Sequence, residues 1–320
     1  MSHPRNTTER LVVLANPRAA GGRAGARRDA IGRAVDRAFA HAQVVWTDGP
    51  GHATALAREL APQADVLAAL GGDGTCHEVV NGLFDGARPV APRCVFTVLP
   101  LGTGGDLVRS LEIPGRLDAA LWNASTGVTL PLDVGHIAPD DAPARVFINV
   151  AGAGANAVAA ERANRSSKRL GGFLTFLGVI LRTAATYEAR HARWTWSGPD
   201  GDGAFEGPVL ATFVGNGHWC GGGTWIGRGG SMNDGLLDMS IVGEMPPLAI
   251  ARAIPRLYDG RLERVDAVVR ARVHTLRLEG TLPLEADGET GIGNGPATLR
   301  VLPRILQVRG GWRTPPRRGA

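Results

Sequence analysis

Short apolar runs alternate with helix-like stretches through the first part of the chain. The runs cover residues 11–15, 43–46, 64–70 and 93–99. Continuous apolar runs of this length are typical of strands that are buried on both faces. Their alternation with helices predicts an open, mostly parallel α/β sheet. Each run ends in a polar or glycine-rich loop, and ligands bind at that edge of such a sheet.

The second part of the chain has a different pattern. Strand-like runs follow one another with Gly, Asp, Asn and Pro turns between them, at residues 146–150, 193–196, 209–214, 236–242 and 273–284. This predicts a β-rich, sandwich-like antiparallel domain. We expect an α/β domain over 1–131 and a β-rich domain over 132–296. The pattern leaves open whether strands near 297–310 rejoin the first domain.

The third apolar run breaks at a glycine-rich turn that contains Gly71, Gly72, Asp73, Gly74 and Thr75. Helical spacing resumes directly afterwards, so Thr75 is predicted to cap a helix. Backbone N–H groups and the helix dipole at such a turn suit a phosphate group. A carboxylate beside phosphate needs a cation or a substrate hydroxyl between them, which indicates Mg²⁺-nucleotide chemistry. The alternative is a tight turn in which Asp73 caps a helix.

Charge and cysteine content narrow the function classes. The chain of 320 residues has a net charge of +5, and Lys168 is its only lysine, so a lysine-containing P-loop is excluded. The basic excess is too small and too dispersed to favour nucleic acid. Three widely spaced cysteines indicate a reducing, cytoplasmic compartment. The segment 173–181 is too short to span a bilayer, so any membrane contact is expected to be peripheral, at the inner surface.

Four separated features read together resemble the diacylglycerol kinase catalytic-domain family, which also includes sphingosine and ceramide kinases and the bacterial soluble lipid kinases. They are Asn16-Pro17 with the glycines that follow, the turn 71–75 with its continuation 77–83, the loop 100–106, and Asp287-Gly288-Glu289. The resemblance runs from about residue 10 to residue 308 and is closest to the bacterial soluble branch, which has two domains. It implies a nucleotide-binding α/β domain over 1–131 and a β-rich acceptor-binding domain over 132–296. It implies an ATP- and Mg²⁺-dependent kinase that phosphorylates a hydroxyl of a diacylglycerol-like lipid.

The resemblance also implies roles for matching residues. Glu289 and Asp287 would be catalytic acids, with Glu289 favoured as the proton acceptor, and Asp73 would join them. The loop 229–238 would bind Mg²⁺ through the Asp234 side chain and the Ser231 and Leu236 carbonyls. ATP would be bound by Asn16, Thr47, Gly71, Gly72, Asp73, Gly74, Thr75 and Thr103.

One residue departs from the family pattern, and two other functions fit parts of the sequence. The family usually has Asn where this chain has Gly105, which weakens the case for ATP binding at that loop. An NAD kinase-like enzyme and a non-catalytic nucleotide or lipid sensor are the alternatives. The apolar segment 170–181 is either a buried helix or a wall that contacts lipid. The expected partners are ATP, a lipid alcohol and, transiently, a membrane surface, with a second copy of the chain in a homodimer as a further candidate.

Overall fold

The computed structural model describes residues 8–101, 105–165, 178–183, 186–227 and 229–312. These residues form two compact units. Unit 1 comprises the described residues up to Leu132 together with those from Arg304 onward, and unit 2 comprises those from Asp133 to Pro303. Predictions for Thr103, and for 170–177 of the apolar segment, lie outside the described residues.

Unit 1 is built on a parallel sheet. Its strands are β1 (Arg10–Ala15), β2 (His41–Trp46), β3 (Val66–Gly71), β4 (Phe84–Asp85), β5 (Arg88–Pro89) and β6 (Val95–Pro100). The order β2-β1-β3-β6 is parallel throughout, and β4 and β5 form a separate hairpin. Every residue of β3 is buried, as expected for a strand that is covered on both faces.

Helices connect these strands. They are α1 (Arg23–Ala26), α2 (Arg28–Ala38), α3 (His52–Leu60), α4 (Asp73–Gly82), α5 (Asp106–Ser110), α6 (Leu117–Thr126) and a 3-10 turn (Ala61–Gln63). In α2 the residues Ile31, Val35 and Ala38 are buried at helical spacing, so one face of this helix packs against the unit's core. None of the helices that the structure describes is long and apolar enough to cross a bilayer.

Antiparallel strands dominate unit 2. In chain order the strands are β7 (Thr129–Pro139), β8 (Arg145–Phe147), β9 (Val150–Gly154), β10 (Arg190–Ser197), β11 (Gly203–Gly215), β12 (Trp219–Cys220), β13 (Thr224–Trp225), β14 (Leu237–Gly243), β15 (Val268–Val273), β16 (Thr275–Glu279), β17 (Leu284–Ala286), β18 (Glu289–Thr290) and β19 (Ala297–Arg309). The helices are α7 (Ala155–Arg165) and α8 (Pro247–Asp259), with a 3-10 turn at Leu262–Arg264. The parallel α/β sheet and the antiparallel β-rich unit confirm the predicted fold class.

Large apolar side chains from several strands form the core of unit 2. Phe147, Trp194, Met239, Leu278 and Leu299 are all buried there. Strand β11 is central to this arrangement because it pairs with β9, β10 and β14. A rigid, well-packed frame of this kind can hold short connecting turns in fixed positions.

The last strand contributes to both units. Its first part pairs with β16, where Ala297 is opposite Leu278, and its last part pairs in parallel with β6, where Val308 is opposite Phe96. Arg309 at its end is buried and donates two hydrogen bonds of 2.8 Å to the Glu9 carboxylate. This ion pair ties the end of β19 to the residue that precedes β1.

Two boundaries predicted from the sequence differ from the structure. The predicted strand 146–150 is interrupted because the backbone N–H groups of Ile148 and Asn149 donate to the Asp287 side chain instead of to a neighbouring strand. The predicted Thr75 cap is wrong, since α4 begins at Asp73 and its N-cap is Gly72. Thr75 lies within the first turn of the helix.

Candidate active site

The carboxyl ends of the parallel strands of unit 1 carry most of the predicted nucleotide-binding residues. The chain runs from β1 outward to β2 and then back to β3 on the other side of β1, so the strand order reverses between β1 and β3. Ligands of open α/β sheets bind in the crevice at such a reversal. Asn16 follows β1 and Gly71 ends β3, which places both at this point.

The start of α4 has the features of an anion-binding helix N-terminus. Its N-cap, Gly72, makes no side-chain capping bond, and the first-turn N–H groups of a helix have no intrahelical acceptor. The helix dipole adds positive potential at the same place. Gly72 is exposed and a side chain there would meet no atom within 4 Å, so the surface above the turn is open.

One side-chain contact joins the two sides of this reversal. The Asn16 amide donates to the Thr75 hydroxyl at 3.2 Å, and the Asn16 side-chain oxygen accepts the Arg18 N–H at 2.9 Å. The Thr75 hydroxyl lies so close to Gly71 that a Cβ at residue 71 would be 2.4 Å from it. Glycine is therefore required at position 71 for Thr75 to keep its place. This packing requirement is separate from the close approach of a phosphate group to the backbone.

Thr47 lies at the end of β2, on the same edge. It is buried, and its N–H donates to the Ala15 carbonyl at 2.9 Å. The helix that follows is capped from outside by Glu78, whose carboxylate accepts the Ala53 N–H at 3.1 Å. The sequence analysis did not predict a role for Glu78, although this residue belongs to the stretch 77–83 that supports the family resemblance.

The Asp73 carboxylate caps the neighbouring helix. It accepts the N–H of Asp106 at 3.1 Å and that of Leu107 at 3.3 Å, both in the first turn of α5. This is the capping alternative, realised on a different helix from the one that contains Asp73. The predicted part of Asp73 in Mg²⁺-nucleotide chemistry stays a prediction.

This contact also accounts for Gly105. A Cβ at residue 105 would lie 2.5 Å from the Asp73 carboxylate oxygen, closer than van der Waals contact allows. The glycine that replaces the family's usual asparagine therefore makes room for the Asp73 side chain.

Replacing Gly105 by alanine is expected to displace Asp73 and to lower the free energy of unfolding by about 1 kcal/mol, the usual cost of losing a helix cap. The matched control is Gly72→Ala, because Gly72 and Gly105 are both N-cap residues with negative φ and only Gly105 lacks space for a Cβ. Urea unfolding of the two variants measures the difference. Equal destabilisation of both would contradict this account.

The Asp287-Gly288 turn of unit 2 connects β17 to β18. Both residues have positive φ, 51° and 84°, as in the type I′ turns that favour this sequence. The Asp287 carboxylate accepts three backbone N–H groups, from Ile148 at 3.1 Å, Asn149 at 2.9 Å and Val150 at 3.0 Å. Asp287 therefore anchors the turn to the loop between β8 and β9.

Glu289 begins β18, directly after this anchored turn. Its side chain is partly buried, and within the described ranges its carboxylate makes no hydrogen bond or ion pair. Its backbone is held by pairing with Ala286 across the hairpin. The two predicted catalytic acids of unit 2 thus differ: the Asp287 carboxylate holds the turn, and the Glu289 carboxylate has no such contact with the described residues.

The predicted metal loop contains an internal ion pair. Asp234 accepts the N–H of Ser231 at 2.8 Å and that of Leu236 at 3.2 Å, and it forms an ion pair with Arg272 of β15. Arg272 also lies 3.5 Å from the Asp238 carboxylate. Arg272 was not predicted to belong to this loop, and no signal in the sequence connects it to Asp234.

The loop does not fit a resident divalent cation while Arg272 is in place. The guanidinium and the Ser231 N–H take up the same Asp234 oxygen, and a positive charge already lies where a metal would bind. Among the described residues no three His, Cys, Asp or Glu side chains come together in a metal-binding group. The assignment of Mg²⁺ to Asp234, Ser231 and Leu236 stays a prediction.

Removing Arg272 tests which cation the loop uses. We expect Arg272→Met to lower the free energy of unfolding by about 2 kcal/mol, because the buried Asp238 carboxylate loses its contact with the Arg272 guanidinium. Added Mg²⁺ should restore part of the loss in this variant and leave the wild type and an Arg193→Met control unchanged. Thermal unfolding without nucleotide, with Mg²⁺ or EDTA, measures this. Stabilisation of the wild type by Mg²⁺ would support the predicted metal site instead.

Comparison with known proteins identifies the family. The family model "Diacylglycerol kinase catalytic domain" matches residues 10–137, and the model "YegS C-terminal NAD kinase beta sandwich-like domain" matches residues 149–310. A Pseudomonas aeruginosa protein described as "Probable lipid kinase YegS-like" is 32% identical over 268 residues, which is 81% of this chain and 83% of that protein. A protein of the same description from Chromohalobacter salexigens is 31% identical, with 82% and 81% covered.

A solved structure shows the same fold. The crystal structure of a diacylglycerol kinase from Bacillus anthracis covers 96% of this chain and 98% of its own, with a TM-score of 0.71 and 21% identity. The family models and the curated relatives confirm the predicted family and enzyme class, and the solved structure confirms the fold class. The roles of individual residues are not tested by these comparisons. The chain belongs to the diacylglycerol kinase catalytic-domain family.

Proposed function

We propose that the protein is a lipid kinase that transfers the γ-phosphoryl group of ATP to a hydroxyl of a diacylglycerol-like lipid. The observation that supports this most is Glu289: a carboxylate on an anchored turn, with no hydrogen bond or ion pair among the described residues, in a chain of a kinase family. A general base must be able to reach the proton that it accepts, and a carboxylate without protein partners is able to do so.

In this proposal ATP binds at the carboxyl edge of the unit 1 sheet. The N–H groups at the start of α4 hold the terminal phosphates, and glycines at 71, 72 and 74 allow close approach of the backbone. The hydrogen bond between Asn16 and Thr75 fixes both side chains at the sheet reversal, where they would contact the nucleotide. Thr47 and Thr103 complete the proposed set. Asp73 contributes by holding α5 in place.

The chemistry needs positioning more than covalent participation. Phosphoryl transfer has a loose transition state, so an aligned γ-phosphate and an acceptor hydroxyl with a nearby base are sufficient. The acceptor oxygen forms a bond to the γ-phosphorus, the bond from that phosphorus to the β–γ bridging oxygen breaks, and ADP leaves. The hydroxyl proton passes to the Glu289 carboxylate. Mg²⁺ enters as part of the MgATP substrate, where it neutralises phosphate charge.

The acceptor is proposed from the family. The curated relatives are described as lipid kinases, and the solved structure as a diacylglycerol kinase. A lipid acceptor requires contact with a membrane surface during turnover, so we place the enzyme in the cytoplasm with transient binding to the inner membrane. Diacylglycerol, phosphatidylglycerol and sphingoid bases all carry the required hydroxyl.

A direct test offers defined acceptors to the purified protein. With Mg²⁺ and ATP labelled with ³²P in the γ position, we expect label in one or more of the three lipids after chromatography. NAD, offered in parallel, is expected to stay unlabelled. Label in NADP alone would show an NAD kinase-like enzyme, and ATP or lipid binding without any transfer would show a sensor.

A further inference from the structure

A second carboxyl group, Glu285, lies behind the turn that carries Glu289, and the proposed reaction does not use it. Glu285 is in the middle of β17, where it pairs with Thr290 on one side and with Gly152 on the other. Its residue exposure is only 6%. A buried carboxyl group in a short hairpin requires specific hydrogen bonds or the loss of its charge.

Glu285 holds the turn from the inside. One carboxylate oxygen accepts the Gly288 N–H at 3.0 Å, and the other accepts the Asn156 side-chain amide at 3.3 Å. Helix α7 holds the same turn from the outside, since the Asn164 amide donates to the Gly288 carbonyl at 2.9 Å. Glu285 therefore links the turn to α7 through Asn156.

Asn156 is positioned for two hydrogen-bonding arrangements. In the present one its amide nitrogen donates both to Glu285 and to the Thr212 carbonyl, at 3.1 Å for the latter. Its side-chain oxygen is buried and accepts no hydrogen bond from the described residues. If the amide turns by half a revolution, this oxygen faces Glu285 and can accept a hydrogen bond from the O–H of a protonated carboxyl group, while the bond to the Thr212 carbonyl is lost.

Among the described residues, few charged groups belong to the elements that pack around Glu285. Strand β17 packs against β8, β9, β18 and α7. Strand β9 has no charged residue, Arg145 of β8 is exposed, and β18 and the turn contribute Glu289 and Asp287. In α7, Glu161 pairs with Arg165, and Arg162 donates to two threonine hydroxyls.

No cation among these groups compensates the Glu285 charge. The net pKa of Glu285 is raised to about 8, chiefly by burial. The Asp287 charge also raises this pKa, whereas the hydrogen bonds from the Gly288 N–H and the Asn156 amide lower it.

We propose that Glu285 is a positioning residue for Glu289: as a carboxylate it fixes the turn through Gly288 and Asn156, and as a neutral acid it donates to a reoriented Asn156 and holds the turn less firmly. This rests on the proposed function, in which Glu289 receives the acceptor proton. The neutral form lacks one charge-assisted hydrogen bond to Gly288, and such bonds are the stronger ones. Turnover should therefore increase as Glu285 ionises.

The first test is the pH profile of kcat at saturating ATP and lipid. In the wild type we expect kcat to rise about fivefold, with a midpoint near pH 8. A factor of about five is what one hydrogen bond of average net strength supplies. Glu285→Gln resembles the neutral acid at every pH, so it should keep the lower kcat and show no step there. Glu279→Gln, the same substitution at an exposed residue of unit 2, should retain the step. A step that persists in Glu285→Gln, or is absent from the wild type, overturns the proposal.

A second test does not depend on kinase activity. The folded pKa of Glu285 is raised, so the folded state keeps a proton that the unfolded state loses above about pH 4.5. Relative to Glu285→Gln, the folding equilibrium constant of the wild type should therefore fall about tenfold per pH unit up to about pH 8 and stay level above it.

The two tests separate the possible failures. If the wild type is inactive but shows this stability difference, the proposed function is rejected and the raised pKa of Glu285 is supported. A stability difference without a kcat step would reject the positioning role alone. If Glu285→Gln does not fold, ¹³C NMR of the Glu285 carboxyl carbon in the wild type provides the titration directly, and a midpoint near the ordinary 4.5 would overturn the proposal.

Discussion

Replacing Glu289 by glutamine is expected to lower kcat by about 10²- to 10⁴-fold, the contribution of a positioned general base. The loss corresponds to about 3–5 kcal/mol of transition-state stabilisation. Glutamine has nearly the same shape and cannot accept the hydroxyl proton. Because the Glu289 carboxylate makes no hydrogen bond or ion pair within the described part of the chain, stability should change by less than about 0.5 kcal/mol.

Steady-state kinetics at saturating ATP measures this loss, and equilibrium binding of ATP provides the internal control. The dissociation constant for ATP should equal that of the wild type, since the proposed nucleotide residues belong to unit 1. Glu279→Gln controls for the loss of one negative charge. A Glu289→Gln variant with wild-type kcat would remove Glu289 from the mechanism and would favour a non-catalytic or differently organised site.

Replacing Asp287 by alanine should impair both stability and turnover. Three backbone N–H groups, at Ile148, Asn149 and Val150, lose their acceptor at once. We expect the free energy of unfolding to fall by about 3 kcal/mol, because buried donors left without partners cost about 1–3 kcal/mol each and part of this is recovered by water. The kcat should fall with it, since the turn that carries Glu289 is no longer anchored.

Two variants make this prediction specific. Asp287→Asn keeps an oxygen for Asn149 and Val150 but faces Ile148 with an NH₂ group, so its loss of stability should be intermediate. Asp200→Ala, in another Asp-Gly turn of unit 2 where Asp200 is exposed, should be nearly neutral. Urea unfolding monitored by circular dichroism gives all three values. A neutral Asp287→Ala variant would show that the three hydrogen bonds do not hold the turn.

Features coded by neighbouring residues were predictable from the sequence. Strand β3 is a run of buried apolar residues that ends at glycine, and α4 follows with its apolar residues at helical spacing. The Asp287-Gly288 dipeptide likewise indicated a hairpin turn by itself, and the turn has that form. Such signals depend on residues that are close in sequence, and a single sequence contains them in full.

Contacts between distant residues were not predictable in the same way. Asp287 binds the N–H of Ile148, which is 139 residues away, and Asp234 pairs with Arg272, which is 38 residues away. No periodicity or propensity links such pairs, because the fold brings them together only after both strands have formed. The sequence therefore identified Asp287 and Asp234 as candidate site residues, but it did not identify the groups to which they bind.

Gly105 illustrates the same limit at one position. The sequence shows only that an asparagine usual in the family is missing, which suggests a weakened nucleotide site. The structure shows a second effect, namely that the missing side chain leaves space for the Asp73 carboxylate. A substitution that removes one contact can thus permit another, and only the three-dimensional arrangement reveals which.

In the function that we propose, this protein moves the terminal phosphoryl group of ATP onto a lipid hydroxyl with Glu289 as the base. The most direct measurement uses ATP whose γ-phosphoryl oxygens are ¹⁸O, a total bacterial lipid extract and mass spectrometry of the products. We expect the wild type to form a phosphorylated lipid that carries three ¹⁸O atoms, with its ester oxygen from the acceptor, and we expect this product to be lost in Glu289→Gln. Unlabelled lipids throughout, or the same labelled lipid at the same rate from Glu289→Gln, would contradict it.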